Sequence, residues 1–163
     1  MAETRDLDGL DDIENSADSL LVDYLDAADW ESALSGLSRA TTPGYLLVAA
    51  ESTESAAIGF VHVIEVDGHA HLEQLSVQPD KGRQGVGRGL VQAAMTEAAA
   101  RGYEKLTLRT FALVPWNAPF YATCGFSVSE PESRFQRQLV MTEERLGLGK
   151  FGRRVHLTAR VSR

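Results

Sequence analysis

A strand, a glycine-rich turn, a long helix and a second strand follow one another between His69 and Thr110, and this order constrains the fold more than any other feature of the chain. Residues 69–77 (HAHLEQLSV) read as a strand that stops at Pro79. Residues 85–101 switch to a helical period, with Val86, Leu90, Ala94 and Ala98 on one stripe and Gly102 as the stop. Residues 104–110 (EKLTLRT) alternate again. A crossover of this size returns right-handed, so strands 69–77 and 104–110 are expected to be parallel.

The flanking segments extend the sheet. An apolar run at 45–50 (YLLVAA) and a second at 57–66 (AIGFVHVIEV) predict two strands, and Asp67-Gly68 predicts a tight hairpin into the third. Before them the chain reads helical: Leu7, Leu10, Ile13, Ala17, Leu20 and Leu21 recur at steps of three and four. Trp30, Leu34 and Leu37 suggest a second short helix capped by Asp29. After the crossover come an aromatic-rich helix over 115–123, a short strand at 126–128, a helix over 134–146 and a last strand over 153–161. The expectation is one mixed α/β domain over residues 1–163, with helices on both faces of the sheet.

Composition narrows the function classes. A hydrophobic fraction of 44% excludes a disordered chain, and no apolar stretch approaches the length of a membrane span. The start lacks the basic-then-apolar pattern of a signal peptide. The single Cys124 cannot form an internal disulfide, so the expected compartment is the cytoplasm; a monomer or homodimer is expected. With 16 basic against 23 acidic residues the net charge is −7, which argues against nonspecific nucleic-acid binding. No Cys or His spacing suggests a metal. The charge is uneven: residues 1–31 hold eleven Asp and Glu against one Arg, and residues 132–163 hold eight Arg and Lys against three Glu. Two solvated faces explain this; so does an acidic first third that attracts a cationic substrate.

The turn from Val77 to Leu90 (VQPDKGRQGVGRGL) joins a strand to a helix N-terminus. Such a terminus exposes unpaired N–H groups and the positive end of the helix dipole. Glycines let the backbone approach a diphosphate closely, and Lys81, Arg83 and Arg88 add positive charge. A phosphate-bearing ligand follows. The Walker Gly-Lys-Ser/Thr ending is absent, and so is GxGxxG, because Gly85, Gly87 and Gly89 follow a two-residue step.

The segment resembles the pyrophosphate loop of the GNAT superfamily of N-acetyltransferases, Gln/Arg-x-x-Gly-x-Gly/Ala after a strand ending in Val-x-Pro. Gly85 and Gly87 match the two glycines, and Val77 and Pro79 the strand end. Gly82 stands where the family has Gln or Arg, with Arg83 next to it. A second block, Val114 to Phe126 (VPWNAPFYATCGF), is similar to the family's Asn…Tyr-x-x-x-Gly-Phe region in one bacterial branch. Val114 occupies the usual Asn position, and Asn117 lies four residues before Tyr121. The resemblance implies the GNAT fold, in which a mostly antiparallel sheet splays between its two parallel strands. Residues 2–5 would hold the family's first strand, so that strand is short or missing.

The resemblance also implies acetyl-CoA as donor and an amine as acceptor, joined by direct transfer in a ternary complex. The donor would lie on Leu75, Ser76 and Val77, on the loop residues Gly82, Arg83, Gln84, Gly85, Val86, Gly87 and Arg88, and on Asn117 and Phe120. The reaction needs a base for the amine, donors for the oxyanion and an acid for the thiolate. Tyr121, protonated at neutral pH, is the candidate acid. Glu73 is the candidate base: strict alternation puts it on one face with His71, Leu75 and Val77, where burial would raise its pKa. His71 is the other candidate, and an ion pair with Arg109 is the structural alternative for Glu73. Trp116 and Phe120 line the acceptor site or serve packing. Cys124, His62, His69 and His156 read as core or solvated residues. The rival to an enzyme is a non-catalytic acyl-CoA-binding module.

Overall fold

Six strands build one sheet: β1 (Gly44–Ala50), β2 (Ala57–Val66), β3 (His69–Val77), β4 (Lys105–Phe111), β5 (Ser127–Val128) and β6 (Arg154–Arg160), in the order β1-β2-β3-β4-β6-β5. This computed structural model describes residues 1–162. All neighbours are antiparallel except β3 and β4. The Asp67-Gly68 hairpin forms as expected, both residues taking positive φ (50° and 77°) as a tight two-residue turn requires.

The helices are α1 (Leu10–Leu25), α2 (Gly36–Ala40), α3 (Val86–Ala100), α4 (Ala118–Thr123) and α5 (Arg134–Leu146). The expected GNAT arrangement is present. The main core lies between α3 and the sheet, where Leu90, Val91, Ala94 and Ala98 meet Val61, Val63, Leu106 and Leu108. Each such large side chain, fully buried, contributes roughly 1.5–3 kcal/mol. Tyr121 and Phe126 extend this core under α4. On the opposite face α1 places Leu10 and Ile13 against Leu46 and Phe60. α5 covers the rest of that face, held by Glu143 to Arg109 (2.9 Å) and Arg154 (2.6 Å).

One local expectation fails. The second helix starts at Gly36, not after Asp29, because Ser35 supplies the cap by accepting the N–H of Ser38 (3.2 Å). Trp30 stays outside it, its indole donating to Asp18 (3.0 Å) and its ring leaning on Phe111 and Phe151. Residues 4–9 form a 3-10 helix, and the family's first strand is reduced to one bond from Ala2 N–H to Leu46 O (2.8 Å). No helix among the described residues is long and apolar enough to cross a membrane.

Candidate active site

The parallel strands touch only briefly. β3 pairs with β4 over Ala70–Leu72 against Leu106–Leu108, and past that point the two part although both continue. Residues 73–77 therefore keep main-chain groups on the β4 side that no ladder uses. A cleft of about 1640 Å³ opens at the gap, between α1, the loop before α3 and α4. Glu73, Leu75, Val77, Gly82, Arg83, Gly85, Gly87, Arg88, Asn117, Phe120 and Tyr121 all line it. Thus residues from both sequence blocks meet at one place.

A bulge on β3 sets which way its side chains point. His62 faces Gln74, yet Val63 faces Leu72, so Glu73 has no partner on β2. One extra residue inverts the period-two alternation beyond it. Leu75 and Val77 pack into the α3 core, while Glu73 turns to the α1 face, so the expected shared face is wrong. Nor does Glu73 pair with Arg109, which goes to Glu143.

Glu73 instead joins a cluster that the sequence did not reveal. Arg39 of α2, 2% exposed, donates through Nη1 to Glu73 Oε2 (2.5 Å) and through Nη2 to Glu14 of α1. His62 Nδ1 lies 3.1 Å from the same Glu73 oxygen and 3.3 Å from Arg39 Nη1. An ionised carboxylate has no proton to give, so Nδ1–H donates to Glu73 and the arginine contact is only a close approach. Burial alone would raise the Glu73 pKa, but the His62 hydrogen bond and the Arg39 charge outweigh it and hold the carboxyl below its ordinary value. The expected rise is therefore reversed. Glu14 goes the other way: burial dominates, and its pKa is pushed up to about 7. His71 is not on the cleft wall. It sits beneath α5, bonded to Thr107 Oγ1 (2.9 Å) and edge-on to Phe135, and burial lowers its pKa to about 3, so it stays neutral.

Tyr121 is buried between Phe120 and Phe126, and burial holds its phenol above the usual range, hence protonated. No hydrogen bond among the described residues uses its hydroxyl, although the residue borders the cleft. A tyrosine kept only for the core would anchor that oxygen.

The loop before α3 bends where it must. Gly85, the N-cap, has φ 85°, and Arg83 has φ 57°. The first bond into the helix runs from Gly89 N–H to Gly85 O, and among the described residues nothing takes up the N–H groups of residues 83–88. A row of free N–H groups at a helix N-terminus suits an anion by its own chemistry. A Cβ on Gly87 would stand 3.6 Å from the Phe120 ring, so loop and α4 form one wall. Of the three expected cations only Lys81 makes an ion pair among the described residues, with Glu51 (2.5 Å); Arg88 bonds Thr123 O and Oγ1 (both 2.9 Å), and Arg83 has neither kind of partner there. The side chains of Ser76, Gln84 and Val86 point elsewhere: Ser76 accepts from Gln74, Gln84 donates to Asp80 O, and Val86 packs into the core. Val114 is core, whereas Asn117 holds the N-cap position of α4 with no capping bond from its side chain, and borders the cleft.

The cleft is electrically divided. Arg83 and Arg88 mark the loop end, and Glu14, Asp18, Asp23, Asp29 and Glu31 outnumber the cations Arg39 and Lys150 that border the cleft beside them at the α1 end. Exposed Tyr24 and Trp116 meet edge to face across its mouth at 5.1 Å.

The profile of the Acetyltransferase (GNAT) family matches residues 8–126 of this chain. Among solved structures, the ribosomal-protein-S18-alanine N-acetyltransferase from Escherichia coli aligns with TM-score 0.66 at 21% identity, covering 99% of this chain and 92% of that one. Ard1 from Thermoplasma volcanium aligns with TM-score 0.66 at 13% identity, covering 99% and 95%. The paia N-acetyltransferase from Thermoplasma acidophilum, in complex with coenzyme A, aligns with TM-score 0.52 at 19% identity, covering 76% and 64%. At these identities the structural likeness shows a shared fold.

Proposed function

The chain belongs to the acetyltransferase (GNAT) family, and on that premise we propose that it moves an acetyl group from acetyl-CoA directly to a cationic amine bound in the same cleft. One observation carries the reading: a parted pair of parallel strands opens beside a row of unclaimed N–H groups, with an unbonded tyrosine hydroxyl on the wall. The N–H groups of residues 83–88, with Arg83, receive the diphosphate. Gln84 and Val86 serve through the main chain alone, since their side chains point away. The main chain of Leu75, Ser76 and Val77 receives the pantetheine arm, with Asn117 and Phe120 opposite.

The acceptor enters from the α1 end, where the carboxylates favour an ammonium group. After the amine loses its proton, its nitrogen attacks the thioester carbonyl, and main-chain N–H groups of the splayed strand stabilise the oxyanion. The C–S bond breaks, and Tyr121 protonates the departing thiolate. The complex with coenzyme A of the T. acidophilum protein supports an acyl-CoA ligand on this fold.

The test is turnover. Purified protein with acetyl-CoA is given polyamines, arylalkylamines, peptides with a free N-terminal amine, and neutral or acidic amino compounds, and acetylated products are weighed by mass spectrometry. Acetylation of cationic amines above the others supports the reading. Equal rates on neutral and acidic compounds reject the cationic acceptor, and no product from any amine rejects the transfer.

A further inference from the structure

Three charged groups from three distant parts of the chain meet on the α1 side of the cleft, Glu14 and Arg39 buried and Glu73 open to it. Glu14 and Glu73 bind neighbouring nitrogens of a single guanidinium, that of Arg39, and all three residues border the cleft. One positive charge cannot neutralise two carboxylates, so this site carries a surplus negative charge whenever both are ionised. Their surroundings differ. Glu73 is the more open, and both Arg39 and His62 bond its Oε2, which leaves Oε1 for a ligand. Glu14 is only 6% exposed, sits on the apolar stripe of α1 beside Ile13, and among the described residues holds Arg39 as its one ion-pair partner.

We propose that Glu14 is the proton acceptor for the amine, that Glu73 is the fixed anion to which the ammonium group binds, and that Arg39 is the positioning residue tying both carboxylates to one wall. This rests on the transfer reaction proposed above. The ammonium group docks on Glu73 Oε1. An N–H bond breaks and an O–H bond forms on Glu14; the nitrogen keeps the electron pair and spends it on the thioester carbon. Glu14 later gives the proton to solvent, separately from the proton that Tyr121 gives the thiolate.

The division follows from environment. A carboxylate held low by an arginine and a histidine is a good anchor and a weak base. A carboxyl raised by burial to near neutrality is matched to proton transfer. The groups that face Glu14 are Arg39 from α2, Glu73 from β3, His62 beyond it on β2 and Asp18 on its own helix; Asp18 and Glu73 raise its pKa and Arg39 lowers it. The apparent value belongs to the cluster rather than to one residue.

The experiment has two arms on the full chain. Infrared difference spectra between about pH 6 and pH 8.5, without substrate, follow the carbonyl band of a protonated carboxyl in wild type, E14Q and E73Q. Rates with acetyl-CoA and the best amine of the panel are measured over the same range. The expected result is a carboxyl that titrates near neutrality in wild type, is shifted to lower pH in E73Q, where the Glu73 charge that raises it is gone, and is missing in E14Q. E14Q loses about 100-fold in kcat, the ordinary worth of a general base, with the acid limb of its pH profile gone and KM for acetyl-CoA unchanged; E73Q raises KM for the amine. The inference is overturned if no carboxyl of wild type titrates in that window, or if E14Q keeps the wild-type kcat and acid limb. A wild-type protein inactive on every amine defeats the transfer reaction instead, and the infrared arm still decides whether Glu14 is the titrating group.

Discussion

Replacing Arg39 by Met tests the electrostatic frame of the site without touching the donor loop. The methionine keeps the apolar stem over the Phe60 ring, where the guanidinium carbon now lies 5.4 Å from the centroid. The charge disappears between two carboxylates, one of them almost wholly buried. Breaking a buried pair from one side costs about 3–5 kcal/mol. In a domain of this size that lowers the melting midpoint by about 6–20 °C. The loss depends on pH with a definite sign. Without Arg39 the folded pKa of Glu14 rises above its present value of about 7, whereas the unfolded value stays near 4.5. Between those values the folded state binds more protons than the unfolded state, so stability falls as pH rises. The gap between R39M and wild type is therefore wide at about pH 8 and narrow at about pH 5.5, where Glu14 carries its proton in both. Thermal melts by circular dichroism across that range measure it. A gap under about 1 kcal/mol at pH 8, or one that does not shrink toward acid, refutes the claim that Arg39 holds two ionised carboxylates.

Other consequences are as specific. Tyr121→Phe lowers kcat about 100-fold or more and leaves both acetyl-CoA affinity and the melting midpoint unchanged, because among the described residues the hydroxyl has no hydrogen bond worth the usual ~1 kcal/mol to lose; turnover, calorimetry and melting read the three. Gly85→Ala forces a Cβ into left-handed backbone at a cost of about 1–2 kcal/mol, with no atom within 4 Å to clash. Its methyl stands at the open side of the N–H row and weakens acetyl-CoA about tenfold, equivalent to ~1.4 kcal/mol; titration calorimetry checks this, and unchanged affinity would place the diphosphate elsewhere.

Most of the fold and the glycine loop that lines the cleft were legible in the sequence, because their signals are local. The Asp67-Gly68 turn, the 3.6 period from Val86 and the paired glycines each act within a few residues. The cluster of Arg39, Glu14 and Glu73 was hidden for a physical reason. Arg39 reaches Glu14 across 25 positions and Glu73 across 34, and nothing in the composition of the five-residue α2 marks it as a buried hub. The β3 bulge leaves no compositional mark either, yet it reverses every parity argument beyond Glu73. One usable signal was present. Glu14 falls on the apolar stripe of α1, four residues after Leu10 and three before Ala17, and a carboxylate on such a stripe demands a buried partner.

The central claim is that this cleft holds acetyl-CoA, and thermal stability with acetyl-CoA, ATP or NAD added tests it most directly. A native-state ligand at a hundredfold excess over its Kd adds about 2.7 kcal/mol, which raises the midpoint of a domain this size by roughly 5–11 °C. The account predicts that rise with acetyl-CoA and none of comparable size with ATP or NAD. No shift with acetyl-CoA, or an equal or larger one with either nucleotide, would contradict it.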